Sequence, residues 1–162
     1  MEGIEIRLIQ FSDNAAMARI IRNSLEEFGA ARPGTVYFDE STDHLFELFQ
    51  STPLSAYFVA VKDGGLVGGA GIFPTEGLPE TTCELVKMYL SPDVRGMGLG
   101  RFMIDRCLQK AKENGFDSVY LETMPELKKA VSVYEKFGFT YLTGPMGNSG
   151  HNGCDIWMLK KL

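Results

Sequence analysis

The sequence contains few of the residues that typically build metal sites or disulfide frameworks. Only three cysteines are present, Cys83, Cys107 and Cys154, and the two histidines are His44 and His151. An odd number of cysteines without a CxxC pair, combined with so few histidines, matches neither a zinc signature nor a set of paired disulfides. We therefore expect reduced thiols, as in a cytoplasm, and no bound metal.

Basic residues and long apolar segments are scarce as well. Lysine and arginine number 16 against 21 acidic residues, which gives a formal net charge of −5. A protein that binds nucleic acid normally presents a basic face, so this balance argues against such a partner and favours small cationic molecules. No apolar run approaches a membrane span, and the first residues lack the apolar core of a signal peptide. These absences predict a cytoplasmic protein that binds neither nucleic acid nor membrane.

The hydrophobic pattern alternates between the period of a strand and that of a helix. Glycines at 29, 115 and 138 mark the expected ends of three helices. Strands are predicted at residues 4–8, 56–61, 66–73, 84–90, 118–123, 139–142 and 155–159, and helices at 13–28, 43–49, 99–114 and 126–137. This order indicates an α/β (α+β) fold in one domain, residues 1–162, with a mixed sheet that carries helices on its faces.

Residues 95–101 read RGMGLGR and place three glycines between a predicted strand and a predicted helix. Neither the P-loop pattern nor the GxGxxG dinucleotide fingerprint fits this spacing. The free N–H groups at a helix N-terminus attract anions, and glycine lets a ligand approach the main chain closely. Arg95 and Arg101 flank the loop and can pair with phosphate. The pattern predicts a ligand with a pyrophosphate, and a plain structural turn is the alternative.

Four segments follow one another along the chain: CELVKMYLSP, RGMGLGRFM, SVYLET and AVSVYEKFGF. The second contains [R/Q]xxGx[G/A] from Arg95 to Gly100, and the fourth contains a tyrosine, Tyr134, followed by ExxGF. In this order they resemble the GNAT superfamily of acyl-CoA-dependent N-acetyltransferases, over essentially the whole chain. One departure is Leu127, which occupies the position where many members carry an asparagine that contacts the cofactor.

The resemblance implies acetyl-CoA as the co-substrate. In the family it lies in a V-shaped split between two parallel central strands, which are residues 84–90 and 118–123 here. The pantetheine arm would bond to main-chain groups that the split leaves unpaired, as an added strand does. The implied cofactor-binding residues are Met88, Tyr89 and Leu90 for this arm, and Arg95, Gly96, Met97, Gly98, Leu99, Gly100 and Arg101 for the pyrophosphate.

Tyr134 is the predicted catalytic acid. A phenol with a pKa near 10 is protonated at neutral pH and can donate to the departing CoA thiolate. Helical spacing alone would make Tyr134 a core aromatic beside Ala130, Val131 and Phe137. The resemblance favours the catalytic interpretation.

Glu84 is the predicted catalytic base. Strict alternation along its strand would place Glu84 on one face with Val86, Met88 and Leu90. A carboxylate on an apolar face is either a solvated strand-end acid or lies in a cleft that raises its pKa. Glu122, His151 and a water molecule are the other candidates for the base. For His151, an exposed position in the loop 144–153 is the favoured expectation.

These residues and the resemblance together predict direct transfer of an acetyl group to the primary amine of a small molecule, in a ternary complex. The alternatives are a module that senses acyl-CoA without turnover, an acetyltransferase for proteins or peptides, and transfer of a longer acyl chain. Dimers are common among such folds, so a homodimer is compatible with this prediction.

Overall fold

Seven strands and four α-helices make up most of the regular structure of the computed structural model, which describes residues 1–162. Every predicted element is found, with shifts of one to three residues at the ends of several of them. None of the helices is both long and apolar enough to cross a bilayer. In chain order the elements are β1 Ile4–Leu8, α1 Asn14–Glu27, α2 Leu45–Ser51, β2 Ala56–Lys62, β3 Gly65–Phe73, β4 Thr82–Leu90, α3 Leu99–Glu113, β5 Ser118–Thr123, α4 Lys128–Lys136, β6 Thr140–Leu142 and β7 Ile156–Lys161.

The strands form one mixed sheet in the order β1-β2-β3-β4-β5-β7-β6. All neighbouring pairs are antiparallel except β4 and β5, which are parallel. Helix α3 lies between these two strands in the chain, as the crossover of a parallel pair requires. The predicted mixed sheet is therefore confirmed.

Helices cover both faces of the sheet. Met17 and Ile21 of α1 and Phe49 of α2 belong to one apolar core, whereas Met103 of α3 and Tyr134 of α4 belong to the other. Each helix buries one apolar stripe against a sheet face, which is the arrangement that the 3.6-residue spacing of these side chains predicts.

The parallel pair at the centre of the sheet separates after three residues. Strand β4 pairs with β5 only from Thr82 to Glu84, opposite Ser118 to Tyr120. Beyond Glu84 the edge of β4 that faces β5 has no partner strand, although β5 itself continues to pair with β7 as far as Thr123. The predicted split between the central strands is confirmed.

A bulge in β4 corrects the predicted alternation of its side chains. Val86 pairs with Gly71 and Tyr89 with Gly69, so two residues of β4, Lys87 and Met88, lie opposite one residue of β3. Such a bulge reverses the faces that follow it. Met88 and Leu90 consequently pack with the α3 and α4 core and not, as predicted, on the face that Glu84 shares with Val86.

Candidate functional site

A cleft of about 460 Å³ occupies the split between β4 and β5. It extends from the glycine loop before α3, past the main chain of β4, to the carboxyl group of Glu84. Of the residues predicted to contact the cofactor or act in catalysis, the following line it: Glu84, Met88, Tyr89, Leu90, Arg95, Gly96, Gly98, Gly100, Arg101 and Tyr134. Two predicted residues have side chains elsewhere, because Met97 is exposed and Leu99 is buried in the core.

The glycine loop has the backbone that its sequence predicts. Gly96 and Gly98 have φ angles of 78° and 83°, in the left-handed region that favours glycine, and Gly98 is the N-cap of α3. A Cβ atom built at either glycine would meet no protein atom within 4 Å. The space beside these two residues is therefore open, and the free N–H groups of the first turn of α3 lie next to it.

The two flanking arginines have different surroundings. The Arg95 guanidinium is 2.7 Å from Glu27 and its Nε donates to the Leu90 carbonyl at 3.1 Å. It therefore connects the loop to α1 and β4. Arg101 forms no ion pair within the protein and lines the cleft beside the loop, so we expect phosphate contact from Arg101 more than from the Arg95 side chain.

Tyr134 lies on α4 and packs edge-on against Phe139, with ring centroids 5.9 Å apart. Its hydroxyl contacts only the Met88 sulfur, at 3.9 Å. A thioether is a weak acceptor, so this hydroxyl is free to donate to a ligand in the cleft. Burial raises the pKa of Tyr134, which keeps the phenol protonated at neutral pH.

Glu84 is 4% exposed and lies where β4 and β5 separate. Burial raises the pKa of its carboxyl group to about 7, and the charge of the nearby Glu122 adds to the increase. A hydrogen bond from the Thr75 hydroxyl, at 2.6 Å, acts in the opposite direction and lowers this pKa. A carboxyl group with a pKa near 7 exchanges a proton readily at neutral pH. The sequence left two environments open for Glu84, a solvated strand end or a cleft that raises its pKa, and the structure shows the cleft.

A second cavity, of about 260 Å³, adjoins the cleft and shares Glu84, Val86, Lys87 and His151 with it. His151 was expected to be an exposed loop residue, and this expectation is wrong: its side chain is 12% exposed. Hydrogen bonds from Gly153 to Gly34 and from Asn148 to Glu76 attach the loop to the rest of the protein, which brings His151 inward.

The imidazole of His151 connects two acidic residues. Its Nε2 lies 2.5 Å from the Asp39 carboxylate, and its Nδ1 lies 4.0 Å from Glu122. Burial by itself would raise the pKa of Asp39, but the hydrogen bond from His151 and the charges of His151 and Lys87 together lower it. An ionised Asp39 accepts from Nε2–H, so in the neutral ring Nδ1 is the nitrogen that can accept a proton.

Glu122, the second predicted candidate for the base, already has two hydroxyl donors. Its oxygens accept from Tyr120 at 2.7 Å and from Ser149. Ligand atoms of Glu84, Glu122 and His151 lie within 4.8 Å of one another. Because each of the three is hydrogen-bonded within the protein, the cluster is suited to move protons. Of the two carboxyl groups, Glu84 has one hydroxyl donor against two for Glu122 and is the stronger candidate for the base.

Some residues of the two cavities were not found from the sequence. Asp39 and Lys87 line the second cavity and Thr75 binds Glu84. Asp39 and Thr75 lie outside the four segments that carry the resemblance, and Lys87 lies in the first of them but had no predicted role. Contacts between segments distant in the chain bring them together. The one local signal was a basic residue, Lys87, within the otherwise apolar run LVKMYL.

We expect Gly98→Ala to weaken coenzyme A binding about tenfold to 100-fold, because the methyl group displaces the ligand from the free N–H groups beside it. Gly115→Ala is the matched control, since Gly115 has a φ of 91°, open space around its Cβ position and no contact with the cleft. Both variants incur about 1–2 kcal/mol of left-handed backbone strain. Calorimetric titration that gives equal affinity for the two variants would contradict the proposed pyrophosphate site.

Comparison with known proteins agrees with this geometry. The sequence model of the Acetyltransferase (GNAT) family matches residues 19–139. The uncharacterized N-acetyltransferase YjgM of Escherichia coli (strain K12) is 39% identical over 158 residues, 97% of this chain and 94% of that protein. An acetyltransferase from Streptococcus agalactiae 2603 superposes with a TM-score of 0.85 at 18% identity, over 100% of both chains. The protein yncA from Salmonella typhimurium, solved with its cofactor acetyl-CoA, gives 0.76 at 18% identity, over 99% of this chain and 94% of that one.

Proposed function

This chain belongs to the acetyltransferase (GNAT) family, and from that premise we propose that residues 1–162 form one domain that transfers acetyl from acetyl-CoA to the primary amine of a small molecule. The observation that supports this proposal most strongly is the cleft between β4 and β5, which joins the glycine loop at the N-terminus of α3 to a buried carboxyl group. The neighbouring yncA structure, which contains acetyl-CoA, makes acetyl-CoA the natural occupant of such a cleft.

Acetyl-CoA would bind along the edge of β4. Its pyrophosphate would accept hydrogen bonds from the amides of residues 96–101 and the Arg101 guanidinium, and its pantetheine arm would pair with the main chain of residues 88–90. The thioester would then lie between Tyr134 and Glu84, which both line the cleft. A main-chain N–H near Leu90 would stabilise the oxyanion that forms on the thioester carbonyl.

Proton removal from the amine would come first. An alkyl ammonium with a pKa near 10.4 is only about four parts in ten thousand neutral at pH 7, so it needs a base. The Glu84 carboxylate would accept this proton, directly or through water, and could pass it through the neighbouring cluster with His151 to solvent. The amine nitrogen would then attack the carbonyl carbon of the thioester.

The attacking nitrogen would lose its second proton to the Glu84 carboxylate, once that group has released the first, and collapse of the tetrahedral intermediate would break the bond between carbon and sulfur. The electron pair of that bond goes to the sulfur, which becomes a thiolate. Tyr134 would donate to it, first as a hydrogen bond and then as the proton of free coenzyme A, and would regain its proton from solvent. No acyl-enzyme would be needed, because the two substrates would lie in adjoining cavities.

An assay of thiol release from acetyl-CoA tests this proposal. With a panel of primary amines, we expect at least one small amine to accelerate release well above the rate in its absence, and mass spectrometry to find the matching N-acetyl product. A protein that binds acetyl-CoA but accelerates release with no amine would be the non-catalytic sensor. Acceleration by peptides alone would instead identify a protein or peptide acetyltransferase.

Two finer points stay predictions. Affinities for acetyl-, propionyl- and succinyl-CoA would test the preference for a short acyl chain. Sedimentation would test the expected homodimer.

A further inference from the structure

Lys87 lies at the junction of the cleft and the second cavity. It is the bulged residue of β4, and its φ of 50° is in the left-handed region that lysine rarely adopts. A strand of regular alternation would direct residues three apart to opposite faces. The bulge instead puts the Lys87 side chain in the same cavity as that of Glu84.

Contacts with Tyr57 hold the backbone of Lys87 in this unfavourable conformation. The buried Tyr57 hydroxyl donates to the Lys87 carbonyl at 2.6 Å. Its ring passes so close to β3 that a Cβ at Gly69 or Gly71 would lie 2.6 Å from a ring carbon. Two glycines and a buried tyrosine thus fix one strained residue, a cost that proteins accept mainly at functional sites.

The Lys87 ammonium has no partner of its own. It forms no hydrogen bond or ion pair within the protein, although it is partly buried. Burial lowers its pKa, and the charges of Asp39 and Glu84, which are not in contact with it, offset this only in part. The acids of the second cavity have other partners or face solvent: Asp39 binds His151, Glu84 accepts from Thr75, and Glu76 is exposed. A partly buried cation beside a cavity, with no counter-ion in contact, favours an anionic ligand group.

We propose that Lys87 binds a carboxylate of the acceptor, so that this acetyltransferase acts on small amino acids. The inference rests on the proposed function and deepens it. The acceptor amine would lie at Glu84 and its carboxylate at Lys87, in a cavity of about 260 Å³ that suits a small molecule. A linear diamine fits less well, because its second ammonium would meet the positive charge of Lys87.

Matched acceptors test this inference. Thiol release is measured with the standard L-amino acids, the corresponding amino-acid amides and 1,4-diaminobutane. In the wild type we expect kcat/KM for the preferred amino acid to exceed that of its amide about tenfold to 100-fold, as for loss of a charged hydrogen bond. In Lys87→Met the ratio of kcat/KM for the amino acid to kcat/KM for its amide (the acid-to-amide ratio) should fall to about one. Lys87→Arg, which keeps the positive charge, should retain part of the preference for the amino acid.

The outcomes separate this inference from the proposed function. Turnover of amines with an acid-to-amide ratio near one in the wild type, or a preference for the diamine, would overturn the role of Lys87 and leave the acetyltransferase in place. No turnover with any amine would overturn both. If circular dichroism shows that Lys87→Met does not fold, the role of Lys87 is judged from the ratio of kcat/KM for the amino acid to that for its amide, measured in the wild type and in Lys87→Arg.

Discussion

Glu84→Gln should lower kcat/KM for acetyl transfer by about 100-fold or more at pH 8, the range of general-base catalysis. The amide cannot accept a proton but keeps the size of the side chain and an oxygen for the Thr75 hydroxyl. The wild-type pKa of about 7 fixes the sign of the pH dependence. Below pH 7 the wild-type carboxyl group is increasingly protonated and inactive, with about a tenth still ionised at pH 6. The gap between the two proteins should therefore shrink to about tenfold at pH 6 and widen above pH 7.

Rates measured from pH 5.5 to 9 at saturating acetyl-CoA would reveal this pattern. Glu80→Gln is the matched control, because Glu80 is exposed and lines neither cavity. A Glu84→Gln variant with the wild-type rise through pH 7 would transfer the role of the base to His151 or Glu122.

The same substitution has a second readout that does not depend on activity. In an unfolded chain the pKa of glutamate is near 4.3, so the folded protein binds more protons between that value and about 7. The contribution of Glu84 to the free energy of unfolding is therefore fully present below the unfolded pKa and is lost as the pH rises through 7. We expect Glu84→Gln to be more stable than the wild type by about 3 kcal/mol at pH 8 in urea denaturation, with the gap closing near pH 4.

Tyr134→Phe should lower kcat about 100-fold while leaving the affinity for acetyl-CoA close to that of the wild type. Phenylalanine preserves the ring that packs against Phe139 and removes only the hydroxyl, whose contact in the protein is the weakly accepting Met88 sulfur. Because the raised pKa makes this phenol a weaker acid than a thiol, we expect most of its effect from the hydrogen bond to the forming thiolate.

Single-turnover kinetics separate this chemical step from product release. Tyr141→Phe is the matched control, since its hydroxyl binds Glu135 on the same helix, α4, but lies outside the cleft. Wild-type kcat in Tyr134→Phe would mean that solvent supplies the proton, and Tyr134 would then be only the core aromatic that its helical spacing suggests.

The sequence by itself determined most of the fold. Period-2 and 3.6-residue spacing give the strands and helices, because burial of one face imposes that spacing on the chain. The conformation of the glycine loop could also be predicted from the sequence, since the left-handed backbone at Gly96 and Gly98 favours glycine. Both features could be predicted because each depends on residues that are close together in the sequence.

Tertiary structure decided the composition of the second cavity. The bulge at Lys87 depends on Tyr57, two strands away, and it reversed the alternation predicted for Met88 and Leu90. The position of His151 depends on its hydrogen bond with Asp39, which lies 112 positions earlier in the chain. It also depends on the loop that carries His151, which is held in place by hydrogen bonds to distant segments. The pKa of Glu84 likewise follows from burial by several elements at once. No local pattern encodes such contacts, because each requires the complete sheet to bring its partners together.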